Sequence, residues 1–102
     1  MNPEVLAVNQ DPLGIPGRRV RQIGPCEIWA KRLADGAMAV AVINRGARGE
    51  DVTVKARHIG LFDAPKLARN LWIQQDTADF KTELKLRVQP HETVLLKVSS
   101  QE

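Results

Sequence analysis

The sequence has 102 residues, 43% hydrophobic and 26% charged, with a net charge of +3 and one cysteine. That size suits a single domain with a feasible but modest core, the composition excludes a disordered chain, and a lone cysteine excludes an internal disulfide while leaving the compartment unassigned. The 15 Lys and Arg are scattered apart from Arg18-Arg19-Val20-Arg21, and aromatic residues reach only 4%, which argues against a nucleic-acid platform.

At the start of the chain, Asn2 suits a helix cap, Pro3 the first helical position and Glu4 the positive end. Val5, Leu6 and Val8 follow, giving a short helix or extended segment of about two turns that needs a surface to lean on. Met1-Asn2-Pro3-Glu4 lacks the basic region and apolar stretch of a signal peptide, and no apolar run approaches the roughly 18–20 residues of a membrane helix. Asp11-Pro12 opens a turn, because proline fixes φ and disfavours helical geometry in the residue before it.

After Gly17 the pattern becomes strand-like. Arg18–Ile23 is a first strand, broken at Gly24-Pro25. Residues 26–33 are a second, and Asp35-Gly36 reads as a hairpin turn of the primed type. Met38–Asn44 is apolar on both faces, as a central strand covered on both sides should be. Residues 51–55 alternate Val52 and Val54 with Thr53 and Lys55, residues 57–61 read as a turn or short helical bend, and 66–72 as a fifth strand. In 80–88, Phe80, Thr82, Leu84, Leu86 and Val88 face one way and Lys81, Glu83, Lys85 and Arg87 the other. That alternation predicts one half-buried antiparallel strand. Pro90-His91-Glu92 turns the chain into a last strand, 93–98. Short strands divided by turns, with no second helix, point to an all-β sandwich.

The run Asn9-Gln10-Asp11-Pro12-Leu13-Gly14, preceded by Glu4-Val5-Leu6-Ala7-Val8, resembles the junction between barrel and C-terminal domain in α-galactosidases of glycoside hydrolase family 27. Five further segments resemble that C-terminal domain in the same order: Glu27-Ile28-Trp29-Ala30-Lys31 followed by Leu33 and Asp35-Gly36, Ala39-Val40-Ala41-Val42-Ile43-Asn44-Arg45-Gly46, Ile59-Gly60-Leu61, Arg69-Asn70-Leu71-Trp72 and Pro90-His91-Glu92-Thr93-Val94-Leu95-Leu96-Lys97. The chain departs from the family pattern at Asn70, where Asp is usual, and at Glu92, where Gly is usual. The resemblance implies an antiparallel β-sandwich of about eight strands with Greek-key connections over 18–102. Residues 1–17 would then be the remnant of the barrel's last helix and the interdomain junction (Val5, Leu6, Val8, Asn9, Gln10, Asp11, Pro12, Leu13, Gly14). It also implies a parent whose (β/α)₈ barrel cleaves terminal α-galactosides with retention. Relatives act on α-N-acetylgalactosamine or β-L-arabinopyranose.

Retaining glycosidases need two carboxylates about 5–5.5 Å apart, and in the family both lie on barrel strands that match no position here. The chain is therefore expected to be inactive alone, without cofactor. Asp76 and Asp79, in a loop, and the neighbours Glu50-Asp51 read as solvated carboxylates. His58 and His91 lack a ligand-spaced partner for a metal, and Cys26 reads as a small buried hydrophobe. Trp29 and Trp72 are the candidates for stacking on a sugar face, against the alternative of core or interdomain packing. The expected partner is the catalytic barrel. A free-standing carbohydrate-binding module with weak galactoside affinity is the alternative, and a homo-oligomer that buries Val5, Leu6 and Val8 between chains is a third reading.

Overall fold

The structure, a computed structural model, describes residues 2–9, 17–62 and 64–100. Their elements are α1 (Pro3–Asn9), β1 (Arg18–Ile23), β2 (Cys26–Arg32), β3 (Met38–Asn44), β4 (Glu50–Lys55), a 3₁₀ turn (Ala56–Ile59), β5 (Lys66–Asn70), β6 (Gln75–Phe80), β7 (Glu83–Val88) and β8 (Thr93–Ser100). Six strands form an antiparallel sheet in the order β1-β2-β3-β8-β5-β6, and β4 pairs with β7 as a separate ribbon. The chain passes from sheet to ribbon and back twice, the interleaved order that Greek-key connections produce.

Strand alternation decides which side chains meet the ribbon. Ile28, Val40, Val42, Leu96 and Val98 point inward from the sheet and meet Val52, Val54 and Val88 from the ribbon, forming the main core. The opposite face of the sheet is covered at one end by α1. There Val8 packs with Leu33, Ala37, Ala39 and Leu71, and Val5 and Leu95 pack against them. This corrects the expectation that Val5 and Val8 lie exposed in a single chain: Val8 is buried and Val5 partly so. The short helix leans on its own sheet, whose small residues Ala37 and Ala39 leave room for it.

Asn44 ties the two layers together. It is 0% exposed; its Nδ2 donates to the carbonyls of Arg48 at 2.7 Å and Val88 at 3.1 Å, and its Oδ1 accepts from Gly46 N–H at 2.8 Å.

Two local expectations are corrected. Residues 80–88 are not one strand: β6 ends at Phe80, Lys81 and Thr82 cross between layers, and β7 begins at Glu83. Leu84 and Val88 remain buried and Leu86 half-buried, so the alternation holds within β7. The Asp35-Gly36 hairpin is not a primed turn. Gly36 has φ +88° but Asp35 is not left-handed, whereas a type I′ turn needs positive φ at both central residues. Gly36 N–H instead bonds the Leu33 carbonyl at 3.1 Å and Leu33 N–H the Ala37 carbonyl at 2.9 Å, a three-residue loop ending in a left-handed glycine. Asp35 Oδ1 accepts from Ala37 N–H at 2.9 Å, which holds Asp35 in that turn.

Candidate interdomain face

The outer face of the large sheet carries Trp29 and, packed through α1, Val5 and Val8 of the residues singled out in the sequence. Register sets Trp29 of β2, Ala41 of β3 and Leu95 of β8 side by side, and Leu71 continues the row by donating its N–H to the Leu95 carbonyl at 3.0 Å. Two residues along the strands lies a second row, Lys31, Ala39, Lys97 and Arg69. Its three cations fasten α1 and the β2–β3 loop.

The helix crosses the strands, its start held over β5 and its end over β2. Asn2 Oδ1 caps it by accepting from Glu4 N–H at 2.9 Å, while Asn2 Nδ2 donates to the Leu71 carbonyl. Arg69 grips Glu4 with two parallel bonds, Nε to Oε2 at 2.9 Å and Nη2 to Oε1 at 2.8 Å, and also bonds Asp76 at 3.0 Å. Lys31 Nζ donates to the Val8 carbonyl at 2.8 Å, placing a cation at the negative end of the helix dipole. The Arg69 hydrogen bonds hold the Glu4 carboxyl below its ordinary pKa and raise that of Arg69. Lys97, 2.7 Å from Asp35, lowers the Asp35 pKa together with the Ala37 N–H.

Trp29 is half-buried on this face, and its Nε1 donates to Glu27 Oε1 at 2.9 Å. Glu27 Oε2 accepts from Arg45 Nε at 2.6 Å. These bonds, Trp29 first, lower the Glu27 pKa and fix the edge of the indole. Trp72 lies elsewhere: it follows β5, is 52% exposed and neighbours Ile73, 57% exposed. Its strand is three spacings from β2, about 14 Å. The structure does not bring the two tryptophans together around one sugar ring.

The remaining candidates take structural positions. Asp76 and Asp79 belong to β6 rather than a loop, three residues apart along a strand, about 10 Å. Asp51 bonds Arg87 at 3.2 Å in the ribbon. Cys26 is buried in the main core, and that burial, with Glu50 nearby, pushes its thiol pKa up. His58 lies in the 3₁₀ turn and His91 in the β7–β8 turn, and no group of metal-ligating side chains occurs among the described residues. No helix among them is long and apolar enough to cross a membrane. Arg18, Arg19 and Arg21 are exposed on β1, an edge strand with a bulge between Arg19 and Arg21. The junction residues Gln10, Asp11, Pro12, Leu13 and Gly14 lie outside the described residues.

A family described as the alpha galactosidase C-terminal beta sandwich domain matches residues 23–98, from the end of β1 to within two residues of the end of β8. The chain belongs to this family. Alpha-galactosidase 2 of Arabidopsis thaliana is 40% identical over 91 residues, 88% of this chain and 23% of that protein. The alpha-galactosidase of Coffea arabica is 34% identical over 101 residues, 98% of this chain and 27% of that protein. The crystal structure of alpha-galactosidase I from Mortierella vinacea superimposes with a TM-score of 0.93 at 28% identity, covering 99% of this chain and 27% of that one. A family 27 β-L-arabinopyranosidase from Geobacillus stearothermophilus gives 0.91 at 30% identity, with 100% and 23% covered. The chain thus spans about a quarter of the length of the relatives it matches.

Both departures from the family pattern are accommodated by side-chain oxygens. Asn70 Oδ1 accepts from Trp72 N–H at 3.0 Å and Ile73 N–H at 3.3 Å, as a carboxylate would. Glu92 Oε1 accepts from Gln89 N–H at 2.9 Å and closes the turn, whose left-handed residue is His91. The residues that anchor α1 were missed in the sequence, because Glu4 and Arg69 stand 65 positions apart. Glu27 and Trp29 were findable: two residues apart on one strand face, an acid and an indole N–H meet.

Proposed function

We propose that this sandwich is the non-catalytic C-terminal domain of a larger family 27 enzyme. Residues 1–17 form its junction with a (β/α)₈ barrel that hydrolyses terminal α-D-galactosyl groups with retention. The observation that carries this reading is the family match across the sandwich, in a chain about a quarter as long as its alpha-galactosidase relatives. The outer face supports it: α1 is bolted across the sheet by Arg69 and Lys31, so chain arriving through α1 comes in over that face. Trp29, Ala41 and Leu95 beside it are only partly covered and suit further packing.

The carboxylates point the same way. A retaining glycosidase needs a general acid whose pKa is raised, yet Glu4, Glu27 and Asp35 are each shifted downward by partners that hold them ionised. Their role is structural. The test is a domain replacement in which the barrel of the Coffea arabica relative carries this chain in place of its own C-terminal quarter. A soluble, active chimera beside an inactive isolated chain is the expected result. Hydrolysis of an α-galactoside by the pure chain overturns it.

Trp72 favours a second reading, galactoside binding, since its indole is half exposed beside Ile73. Tryptophan fluorescence that saturates with millimolar galactoside supports it; an unchanged signal rejects it.

A further inference from the structure

A groove of about 520 Å³ opens on the side of the sandwich away from α1's anchor on β5, between β1 and the 3₁₀ turn. Its floor is apolar: Val20, Ala30, Met38 and Ile59. Its rim carries the guanidiniums of Arg18 and Arg32 and the imidazole of His58; Lys31 also lines it, its ammonium turned to the Val8 carbonyl, and no carboxylate lines it among the described residues. The volume falls within the range of small-ligand sites.

Two of these cations converge by register. Arg18 stands opposite Ala30 in the β1–β2 pair, and Arg32 lies two residues beyond Ala30 on the same strand face. Such diagonal neighbours are about 7–8 Å apart, a separation that two guanidiniums close around one oxyanion. Neither Arg18 nor Arg32 makes an ion pair among the described residues, whereas Arg45, Arg69, Arg87 and Lys97 each do. Burial first, and then the charges of Arg21, Lys55 and Arg57, lower the His58 pKa. Arg18 and Arg32 thus stand at the rim of one concave place with an apolar floor. Arginine suits planar, bidentate capture of phosphate or carboxylate oxygens, and two guanidiniums with an imidazole favour a dianion.

We infer that the groove between β1 and the 3₁₀ turn binds a phosphate monoester carried on a small apolar body, the phosphate held by Arg18 and Arg32 and the body lying on Val20, Ala30, Met38 and Ile59. The site centres on β1 and the 3₁₀ turn and shares Lys31 with the face that carries α1.

Phenyl phosphate is the probe, added at constant ionic strength while the ring C2–H signals of His58 and His91 are followed by NMR. The expected result is a saturable shift of His58 and an upward movement of its pKa, because a bound dianion offsets the surrounding cations; His91 stays unchanged. Inorganic phosphate should need about ten times the concentration, since it lacks the apolar body. The double variant Arg18→Gln, Arg32→Gln should abolish the response while its thermal unfolding matches the parent. The inference is overturned if the shift follows ionic strength alone, if phenol gives the same shift, or if the folded double variant still responds.

Discussion

Replacing Asn44 with alanine tests how the two layers of the sandwich are joined. The side chain has no solvent to fall back on, being 0% exposed, and it makes hydrogen bonds of 2.7, 3.1 and 2.8 Å to Arg48, Val88 and Gly46. Each is worth about 1 kcal/mol net, and the Val88 carbonyl is left without the Asn44 donor beside a residue that is itself 0% exposed, so Asn44→Ala should cost about 3–4 kcal/mol. For a domain of this size that lowers Tm by roughly 12–32 °C. Urea denaturation followed by tryptophan fluorescence gives the difference directly, provided the slope is unchanged. Asn44→Asp is the sharper companion. It keeps the acceptor for Gly46 but replaces the donor with an oxygen facing two carbonyls, so its penalty at neutral pH should exceed that of alanine. A loss below about 1 kcal/mol for Asn44→Ala would show that the layers are held by apolar packing alone.

Leu71 is 1% exposed beneath α1, so Leu71→Ala should cost about 3 kcal/mol and speed hydrogen exchange in the helix before the rest of the domain. Arg69→Ala should release the same helix while leaving the main core folded, seen as faster exchange of α1 amides against unchanged protection of β3. His91 has φ +60° in the Gln89–Glu92 turn, so His91→Gly should stabilise by about 0.5–1 kcal/mol in the same urea assay. Stability should also fall with pH in two stages. The folded His58 pKa is lowered, so the first loss begins as pH drops below the unfolded value of about 6.5. Glu4, Glu27 and Asp35 are lowered as well, so their contribution is complete above about pH 4.3 and disappears as pH falls through their folded values. A urea midpoint that stays flat from pH 7 to 3 would refute both assignments.

Period-two alternation made most of the fold legible. β1 and β3 stand where the pattern placed them, because their ends carry glycine, proline or Asn44 and their apolar residues face defined layers. The alternation in 80–88 survived but its continuity did not: Phe80 and Leu84 both point to the core, one from the large sheet and the other from the ribbon. A crossing between layers keeps the parity of the side chains, so periodicity cannot see it. β6 escaped notice because Gln75, Asp76, Thr77 and Asp79 are exposed edge-strand residues with turn-like composition. On the outer face of the large sheet, Trp29 with its mixed-face neighbours Glu27 and Lys31 was readable from spacing. The Glu4–Arg69 clamp was not, since only the folded register of β5 under α1 brings those residues together.

The position of β8 has a consequence for how this domain is made. It lies between β3 and β5, so the large sheet is two separate pieces, β1-β2-β3 and β5-β6, until the last strand arrives. During synthesis β8 leaves the ribosome after all the others. Until then Val40, Val42 and Ala68 have no central neighbour, and the nascent domain carries two open strand edges. A premature stop before Thr93 would therefore not trim a tail. It would remove the strand on which both halves are hung, leaving a polypeptide for proteases and chaperones rather than a smaller sandwich.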